Sequence, residues 1–204
     1  MARQVETFSR RVQFDVMDGE FVPSRSVTCR QIAALKTGLT WEAHLMVRKP
    51  EDCLDAFHDA GAAKIVFHYE ACPSPEDTIR RIKDLGMKAG LAINPETPGA
   101  AANRFLQELE SVLFLSVNPG YYGSKFIPGV LDKIASFRRD NPDVEIGIDG
   151  GIKLDNVAAI ARTGVNVIYV GSAVFLQPDP AAAYRRLVRL AADATGFRSE
   201  SSQI

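Results

Sequence analysis

The sequence predicts one α/β domain over residues 1–204, folded as a (βα) barrel, on three observations. The chain has 204 residues, 46% of them hydrophobic and 24% charged, which fits one globular domain in size and composition. Short apolar runs rich in β-branched residues alternate strictly with helical patterns. Successive strands start about every 25 residues, the length of a compact βα unit, so the sheet is predicted to be parallel.

The strands and helices follow from periodicity and from the residues that begin helices. The predicted strands are 12–17, 41–47, 63–69, 88–93, 112–117, 144–149 and 165–170. The predicted helices are 28–36, 50–59, 75–85, 99–110, 128–139, 154–163 and 179–193. Pro50 and Pro75, each followed by Glu and Asp, are typical of helix starts. An open doubly wound sheet is the alternative, but the sequence lacks both common glycine-rich nucleotide motifs, which favours the barrel.

One strand of the expected barrel is missing, because seven are predicted and eight close this architecture. Residues 1–11 are too few to supply both a strand and a returning helix. We therefore expect them to form the end of a helix before strand 12–17, leaving a gap between strands 12–17 and 165–170. A partner chain or the C-terminal tail is expected to cover the exposed edges and apolar core, unless the gene start is truncated.

Charge and composition limit the classes of partner. The 24 basic and 25 acidic side chains give a net charge of -1, so no nucleic acid or anionic membrane partner is expected. No stretch approaches the roughly 18 apolar residues that span a membrane, and no targeting signal is visible. Three cysteines without C-x-x-C spacing predict a reduced, cytoplasmic protein.

Polar residues gather at the carboxyl ends of the predicted strands, where barrels carry their functional groups. Gln13 and Asp15 share one face of the first strand, His44 follows in the second, His68 ends the third and Asp149 ends the sixth. Singly, such an Asp caps a turn and such a His fills a core. Together the two aspartates and one or both histidines fit a divalent metal site, and two carboxylates facing one substrate suit proton transfer on both of its faces.

Three turns rich in small residues follow the last three strands. Their backbone N–H groups are candidates to bind an anion, and barrels often hold a phosphate after the last two strands. The alternative explanation is a set of tight turns that need positive φ. The turns contain Gly120 and Gly123, Gly150 and Gly151, and Gly171 and Ser172.

The ordered motifs of the chain resemble a known family. They are DVMDGEFVP at 15–23, HLMV at 44–47, FHYEA at 67–71, SVNPGYYGSKFI at 116–127, DGGI at 149–152 and GSAVF at 171–175. Together they resemble ribulose-phosphate 3-epimerase over nearly the whole chain. The resemblance implies a TIM-type barrel of the ribulose-phosphate-binding type. It also implies an isomerase of the pentose phosphate pathway that interconverts D-ribulose 5-phosphate and D-xylulose 5-phosphate with a divalent cation, whether Zn²⁺, Mn²⁺, Fe²⁺ or Co²⁺.

The resemblance also assigns roles to residues. Asp15 and Asp149 become the acid/base pair and, with His44 and Gln13, the metal ligands. The implied substrate and phosphate contacts are His44, Gly120, Tyr121, Tyr122, Gly123, Gly150, Gly151, Gly171 and Ser172. The expected partners are a small sugar phosphate and further copies of the chain in a homo-oligomer.

Three departures from the family pattern affect the expected site. Gln13 stands where the family usually has His, which makes the ligand set richer in oxygen and weaker for Zn²⁺. Tyr122 replaces a glycine of the phosphate loop, and the family's first strand, with its substrate-contacting serine, has no counterpart. The alternative function is therefore a non-catalytic or weakly active barrel that binds a sugar phosphate and has lost its metal site. A decarboxylase of the hexulose-phosphate synthase kind would need an Asp-x-Lys-x-x-Asp strand end, which the sequence lacks.

Overall fold

Seven parallel strands form one curved sheet in the computed structural model, which describes residues 2–120 and 124–196. The strands pair in sequence order from β1 to β7, as expected of consecutive βα units. Their bounds are Arg11–Met17 (β1), Thr40–Met46 (β2), Lys64–His68 (β3), Lys88–Ile93 (β4), Ser111–Leu115 (β5), Glu145–Asp149 (β6) and Val167–Tyr169 (β7). The seven predicted strands and the barrel class are confirmed.

Helices connect the strands on the outside of the sheet. They are α1 (Ala2–Val5), α2 (Cys29–Ala33), α3 (Leu54–Asp59), α4 (Pro75–Asp84), α5 (Gly129–Asp140), α6 (Val157–Ala161), α7 (Ser172–Phe175) and α8 (Pro180–Thr195). No helix in the described part of the chain is long and apolar enough to cross a membrane.

Two predicted helices differ from the observed ones. The segment predicted as a helix over 99–110 is a 3-10 helix over Gly99–Phe105, and the helix predicted over 50–59 starts as a 3-10 turn over Pro50–Cys53. Gly99 and Asn103 are weak helix formers, and apolar spacing alone does not distinguish the two helix types over so few residues. Helix α7, of four residues, carries too little periodicity to be predicted.

Apolar side chains pack on both faces of the sheet. Between the strands and the helices lie large buried side chains, including Phe57, Phe67 and Phe114. The barrel interior holds a smaller apolar layer, formed by Val66, Ala92, Leu113, Leu115 and Tyr169. Gly147 makes room there, because a Cβ at that position would lie 2.9 Å from the Tyr169 ring.

The barrel has a seam between β1 and β7, which do not pair with each other within the described residues. Strand β7 is short and pairs with β6 through three residues. Residues 2–10 form α1 and a turn, as the sequence predicted, and Phe8 packs on the Tyr184 ring of α8 with centroids 4.9 Å apart. A cavity of about 1080 Å³ lies along the seam. The C-terminal tail after Gly196 is outside the described residues, so the covering of the seam stays a prediction.

Candidate active site

Four of the predicted site residues lie together at the carboxyl ends of β1, β2 and β6. Asp15 and His44 are register partners of neighbouring strands, and Asp15 Oδ1 lies 3.1 Å from His44 Nδ1. The same ring nitrogen lies 3.7 Å from Asp149 Oδ2. Gln13 Nε2 donates to Asp15 Oδ1 at 3.1 Å and to Asp149 Oδ2 at 3.3 Å. Residues 136 positions apart in sequence thus share one site.

The donor set fits a divalent cation. One ligand atom each from Asp15, His44 and Asp149 lies within 4.8 Å of the other two. Gln13 Oε1 is buried and has no hydrogen-bond partner among the described residues. Half a turn of the Gln13 amide would bring that oxygen toward the two carboxylates in place of the NH₂ group. Two carboxylates, an imidazole and an amide oxygen form a ligand set that suits Mn²⁺ or Fe²⁺. Structural zinc sites, in contrast, are usually rich in thiolates.

The electrostatics of this site also favour a bound cation. Burial and the neighbouring Asp15 raise the pKa of Asp149 to about 7, against the smaller lowering effects of His44 and Gln13. Burial lowers the pKa of His44. The hydrogen bond to Asp15 and the charges of Asp15 and Asp149 outweigh that effect, so the pKa of His44 lies above its usual value. In residues 2–120 and 124–196, no Lys or Arg forms an ion pair with either aspartate. The negative charge is therefore not balanced by a permanent cation of the chain.

Two further polar residues extend the site: His68, which the sequence analysis counted among the strand-end polar residues, and Glu70, to which it gave no role. His44 Nε2 lies 3.0 Å from His68 Nε2, and His68 Nδ1 lies 3.4 Å from Glu70 Oε2. Both imidazoles are completely buried, and burial lowers the pKa of His68 to about 4. The available signal was the FHYE motif, which places His68 at a strand end and Glu70 two residues later.

The loops after β1, β5 and β6 are tied together above these residues. Gly120 has a φ of +96°, and its carbonyl accepts a hydrogen bond from the Ser24 hydroxyl. A side chain does not fit at this position, because its Cβ would lie 2.6 Å from the Cβ of Val22. The buried Ser116 hydroxyl donates to the carbonyls of Asp149 at 2.9 Å and Gly150 at 2.7 Å. These contacts fix the backbone that carries Asp149.

The predicted anion turns divide into two kinds. Gly150 has a φ of +110°, and a Cβ there would lie 2.5 Å from the Val117 side chain. Gly151 has a φ of +64°, and a Cβ there would lie 3.0 Å from Phe126. The tight-turn explanation therefore accounts for these two glycines. Gly171 follows the end of β7, has a negative φ and directly precedes α7, which begins at Ser172. Tyr121, Tyr122 and Gly123 lie outside the described residues.

Comparison with known sequences decides the family. The sequence profile described as the ribulose-phosphate 3 epimerase family matches residues 2–175 of this chain. The chain belongs to the ribulose-phosphate 3-epimerase family. The resemblance inferred from its motifs is thereby confirmed.

Named relatives from three bacteria support the same conclusion. Ribulose-phosphate 3-epimerase 1 of Cupriavidus necator is 43% identical over 188 residues, which are 87% of this chain and 78% of that protein. Ribulose-phosphate 3-epimerase of Escherichia coli is 39% identical over 175 residues, 82% of this chain and 78% of that protein. The Bacillus subtilis protein of that name is 38% identical over 82% of this chain and 81% of its own length.

Solved structures agree on the fold. KGPDC from Streptococcus mutans superposes with a TM-score of 0.73 at 12% identity, covering 95% of this chain and 90% of that one. A 3-hexulose-6-phosphate synthase gives a TM-score of 0.68 at 17% identity, covering 93% and 90%. At these identities the likeness shows the barrel fold and nothing about the reaction.

Proposed function

We propose that this member of the family is an isomerase that epimerises a sugar phosphate at C3, interconverting D-ribulose 5-phosphate and D-xylulose 5-phosphate. The observation that carries the proposal is the convergence of Asp15 and Asp149 on His44, from the first and the sixth strand of the sheet. Epimerisation needs one group that removes a proton and a second that delivers a proton to the other face. A pair of carboxylates facing one space meets that requirement.

The two carboxylates differ in a way that suits a proton exchange. Without a cation, burial and the charge of Asp15 raise the pKa of Asp149 to about 7, whereas the Asp15 side chain is 47% exposed. We assign Asp15 as the base and Asp149 as the group that carries the exchanged proton. Asp15 removes the C3 proton and Asp149 delivers one to the opposite face, and the roles exchange in the reverse reaction. The pKa of a carbon acid beside a ketone exceeds that of a carboxylic acid by on the order of ten units. Proton removal by a carboxylate is therefore uphill by roughly 14 kcal/mol.

A divalent cation held by Gln13, Asp15, His44 and Asp149 would offset much of that gap by electrostatic stabilisation of the developing negative charge. We propose Mn²⁺ or Fe²⁺ ahead of Co²⁺ and Zn²⁺, because Gln13 contributes an amide oxygen where an imidazole would favour the later metals.

The substrate phosphate is proposed to bind at the turns after β6 and β7. Backbone N–H groups at Gly150, Gly151, Gly171 and Ser172 supply the donors, and the tight glycine turns allow a close approach. The loop of Gly120, Tyr121, Tyr122 and Gly123 completes the proposed contacts. A cytoplasmic location and a homo-oligomer that covers the seam remain part of the same proposal.

The decisive experiment incubates the full chain with ribulose 5-phosphate in D₂O, after EDTA treatment and again with Mn²⁺, Fe²⁺, Co²⁺ or Zn²⁺. NMR should show xylulose 5-phosphate carrying deuterium at C3 when the preferred cation is present, and none after EDTA. If no cation gives deuterium at C3 while titration calorimetry still detects sugar phosphate binding, the chain is a non-catalytic sugar-phosphate-binding barrel.

A further inference from the structure

His44 lies in a line of buried hydrogen bonds that leads away from the two aspartates. Its Nδ1 faces Asp15, whereas its Nε2 faces His68 Nε2 at 3.0 Å. His68 Nδ1 in turn faces Glu70 Oε2 at 3.4 Å. The two rings lie nearly parallel, with centroids 5.0 Å apart, and the Phe21 ring covers His68 with centroids at 4.9 Å.

With a neutral His68, the Glu70 carboxylate fixes where the protons of this line lie. An ionised carboxylate accepts hydrogen bonds and donates none, so Glu70 requires a proton on His68 Nδ1. A neutral imidazole with its proton on Nδ1 presents a lone pair at Nε2. His68 Nε2 therefore accepts, and the proton between the two rings belongs to His44 Nε2. The reverse order would place a lone pair of His68 Nδ1 against the Glu70 carboxylate.

The surrounding structure keeps Glu70 ionised and in place. Its Oε1 accepts hydrogen bonds from the Asn94 backbone N–H at 2.9 Å and from the Thr97 hydroxyl. Burial raises the pKa of Glu70, but these bonds and His68 lower it below its usual value overall. Lys133 of α5 holds the same loop by donating to the carbonyls of Asn94, Pro95 and Thr97 at 3.1, 2.5 and 2.8 Å.

We propose that Glu70 and His68 are positioning residues that fix the tautomer of His44, so that its Nδ1 lone pair is presented to a divalent cation between Asp15 and Asp149. Without a cation, the 3.1 Å contact between His44 Nδ1 and Asp15 is also a hydrogen bond, so His44 then carries protons on both ring nitrogens. Histidine ligands commonly donate their second N–H to a carboxylate, and here the carboxylate acts through an intervening imidazole. The inference rests on the proposed function for the identity of the site, but its proton arrangement exists without any ligand.

The first test needs no variant. Imidazole ¹⁵N NMR of the full chain, labelled at histidine and free of metal, should show His68 as a neutral ring with its proton on Nδ1. His44 should carry a proton on Nε2, both without metal and after addition of Zn²⁺. A proton on His68 Nε2 would overturn the proposal.

The second test measures Mn²⁺ affinity by titration calorimetry. His68→Leu removes the acceptor for His44 and should weaken Mn²⁺ binding by about 10–100-fold. His68→Gln offers an amide oxygen to His44 Nε2 and should recover most of that loss. Glu70→Gln removes the charge that fixes the tautomer and should weaken binding as well, with a mixed His68 tautomer in the NMR spectrum. Glu76→Gln alters an exposed carboxylate on α4 paired with Arg104 and is the matched control.

The outcomes separate the two proposals. Folded His68→Leu and Glu70→Gln variants that bind Mn²⁺ as the wild type does would overturn the positioning role. Wild-type protein that binds no Mn²⁺ would count against the metal site in the proposed function, while the ¹⁵N spectrum would still decide the tautomers.

Discussion

Two polar clusters lie at the two ends of the barrel interior, and they differ in the source of their positive charge. The lower cluster, at the amino ends of the strands, consists of Glu42, Lys64, Ser111 and Glu145. Lys64 Nζ lies 2.8 Å from Glu42, 3.3 Å from Glu145 and 3.3 Å from the Ser111 hydroxyl. The upper cluster, at the carboxyl ends, is the site of Gln13, Asp15, His44 and Asp149.

The difference indicates which cluster serves the fold and which serves a ligand. In the lower cluster a lysine of the chain pairs with both carboxylates, so a permanent cation offsets one of the two negative charges. In the upper cluster two carboxylates meet without a permanent cation among the described residues, and the pKa of Asp149 is raised by burial and by Asp15. A protein keeps such an unbalanced pair at a cost in stability, which is typical of functional sites. Both clusters border the cavity along the seam.

The largest expected effect is on turnover, from changes in the upper cluster. Asp15→Asn and Asp149→Asn should each lower kcat by about 10²–10⁴-fold, because each removes a proton carrier and a charged ligand. The thermal midpoint of the metal-free Asp149→Asn protein should not fall, since the change relieves repulsion between two carboxylates. Near-wild-type rates in either variant would refute the two-carboxylate mechanism.

The next largest effect is on stability, from the lower cluster. Lys64→Met should lower the free energy of unfolding by about 2–3 kcal/mol, because it leaves the half-buried Glu42 and Glu145 without their cation. Lys88→Met is the matched control, because Lys88 is the register partner of Lys64 but pairs with Glu110 at the surface. That change should cost about 1 kcal/mol or less. Equal losses in the two variants, measured by urea unfolding, would contradict a structural role for the lower cluster.

The pH dependence of stability should reveal the unbalanced charge of the upper cluster. Asp149 binds its proton more tightly in the folded protein than in the unfolded one, so its contribution is lost as the pH rises through about 7. Between pH 5 and pH 8, metal-free wild type should lose about 2–3 kcal/mol relative to Asp149→Asn. Mn²⁺ should abolish this difference in slope. Parallel stability curves for the two metal-free proteins would show that Asp149 is ionised throughout.

The smallest expected effect is on metal affinity at Gln13. Gln13→His replaces a neutral amide oxygen with an imidazole nitrogen and should tighten Zn²⁺ binding by roughly tenfold. Gln107→His, which adds an imidazole at an exposed position, is the control. Calorimetry that finds no gain for Gln13→His, or tight Zn²⁺ binding by the wild type, would argue against Gln13 as the weak member of the ligand set.

Sequence periodicity predicted the strands and the upper cluster for the same physical reason. Alternation with a period of two fixes which side chains of a strand share a face, and parallel strands bring their carboxyl ends to one edge. Asp15, His44 and Asp149 could therefore be placed together before any contact was known, and the family resemblance added Gln13. Segment 99–110 was predicted wrongly, because its apolar spacing fits an α-helix and a 3-10 helix equally well.

The lower cluster and the Glu70 contact could not be predicted in the same way. Lys64 follows two alanines at the start of a strand, a position where a lysine is usually solvated, and its burial depends on Glu42 and Glu145 from two other strands. Glu70 reaches His68 only because the loop 94–97 and Lys133 hold its carboxylate in place. Such contacts depend on side-chain directions across several elements, which a local pattern does not encode.

The short pairing of β7 links ligand binding to local order. Three residue pairs hold β7 to β6, whereas seven hold β1 to β2. Partial unfolding that spares the rest of the sheet should therefore begin at β7, the strand that leads into Gly171 and Ser172. A ligand that binds only when this turn is formed adds RT ln(1 + [L]/Kd) to its stability. The seam edge and the proposed phosphate turn thus form one cooperative unit, and a sugar phosphate bound there would slow hydrogen exchange in β7 and α7.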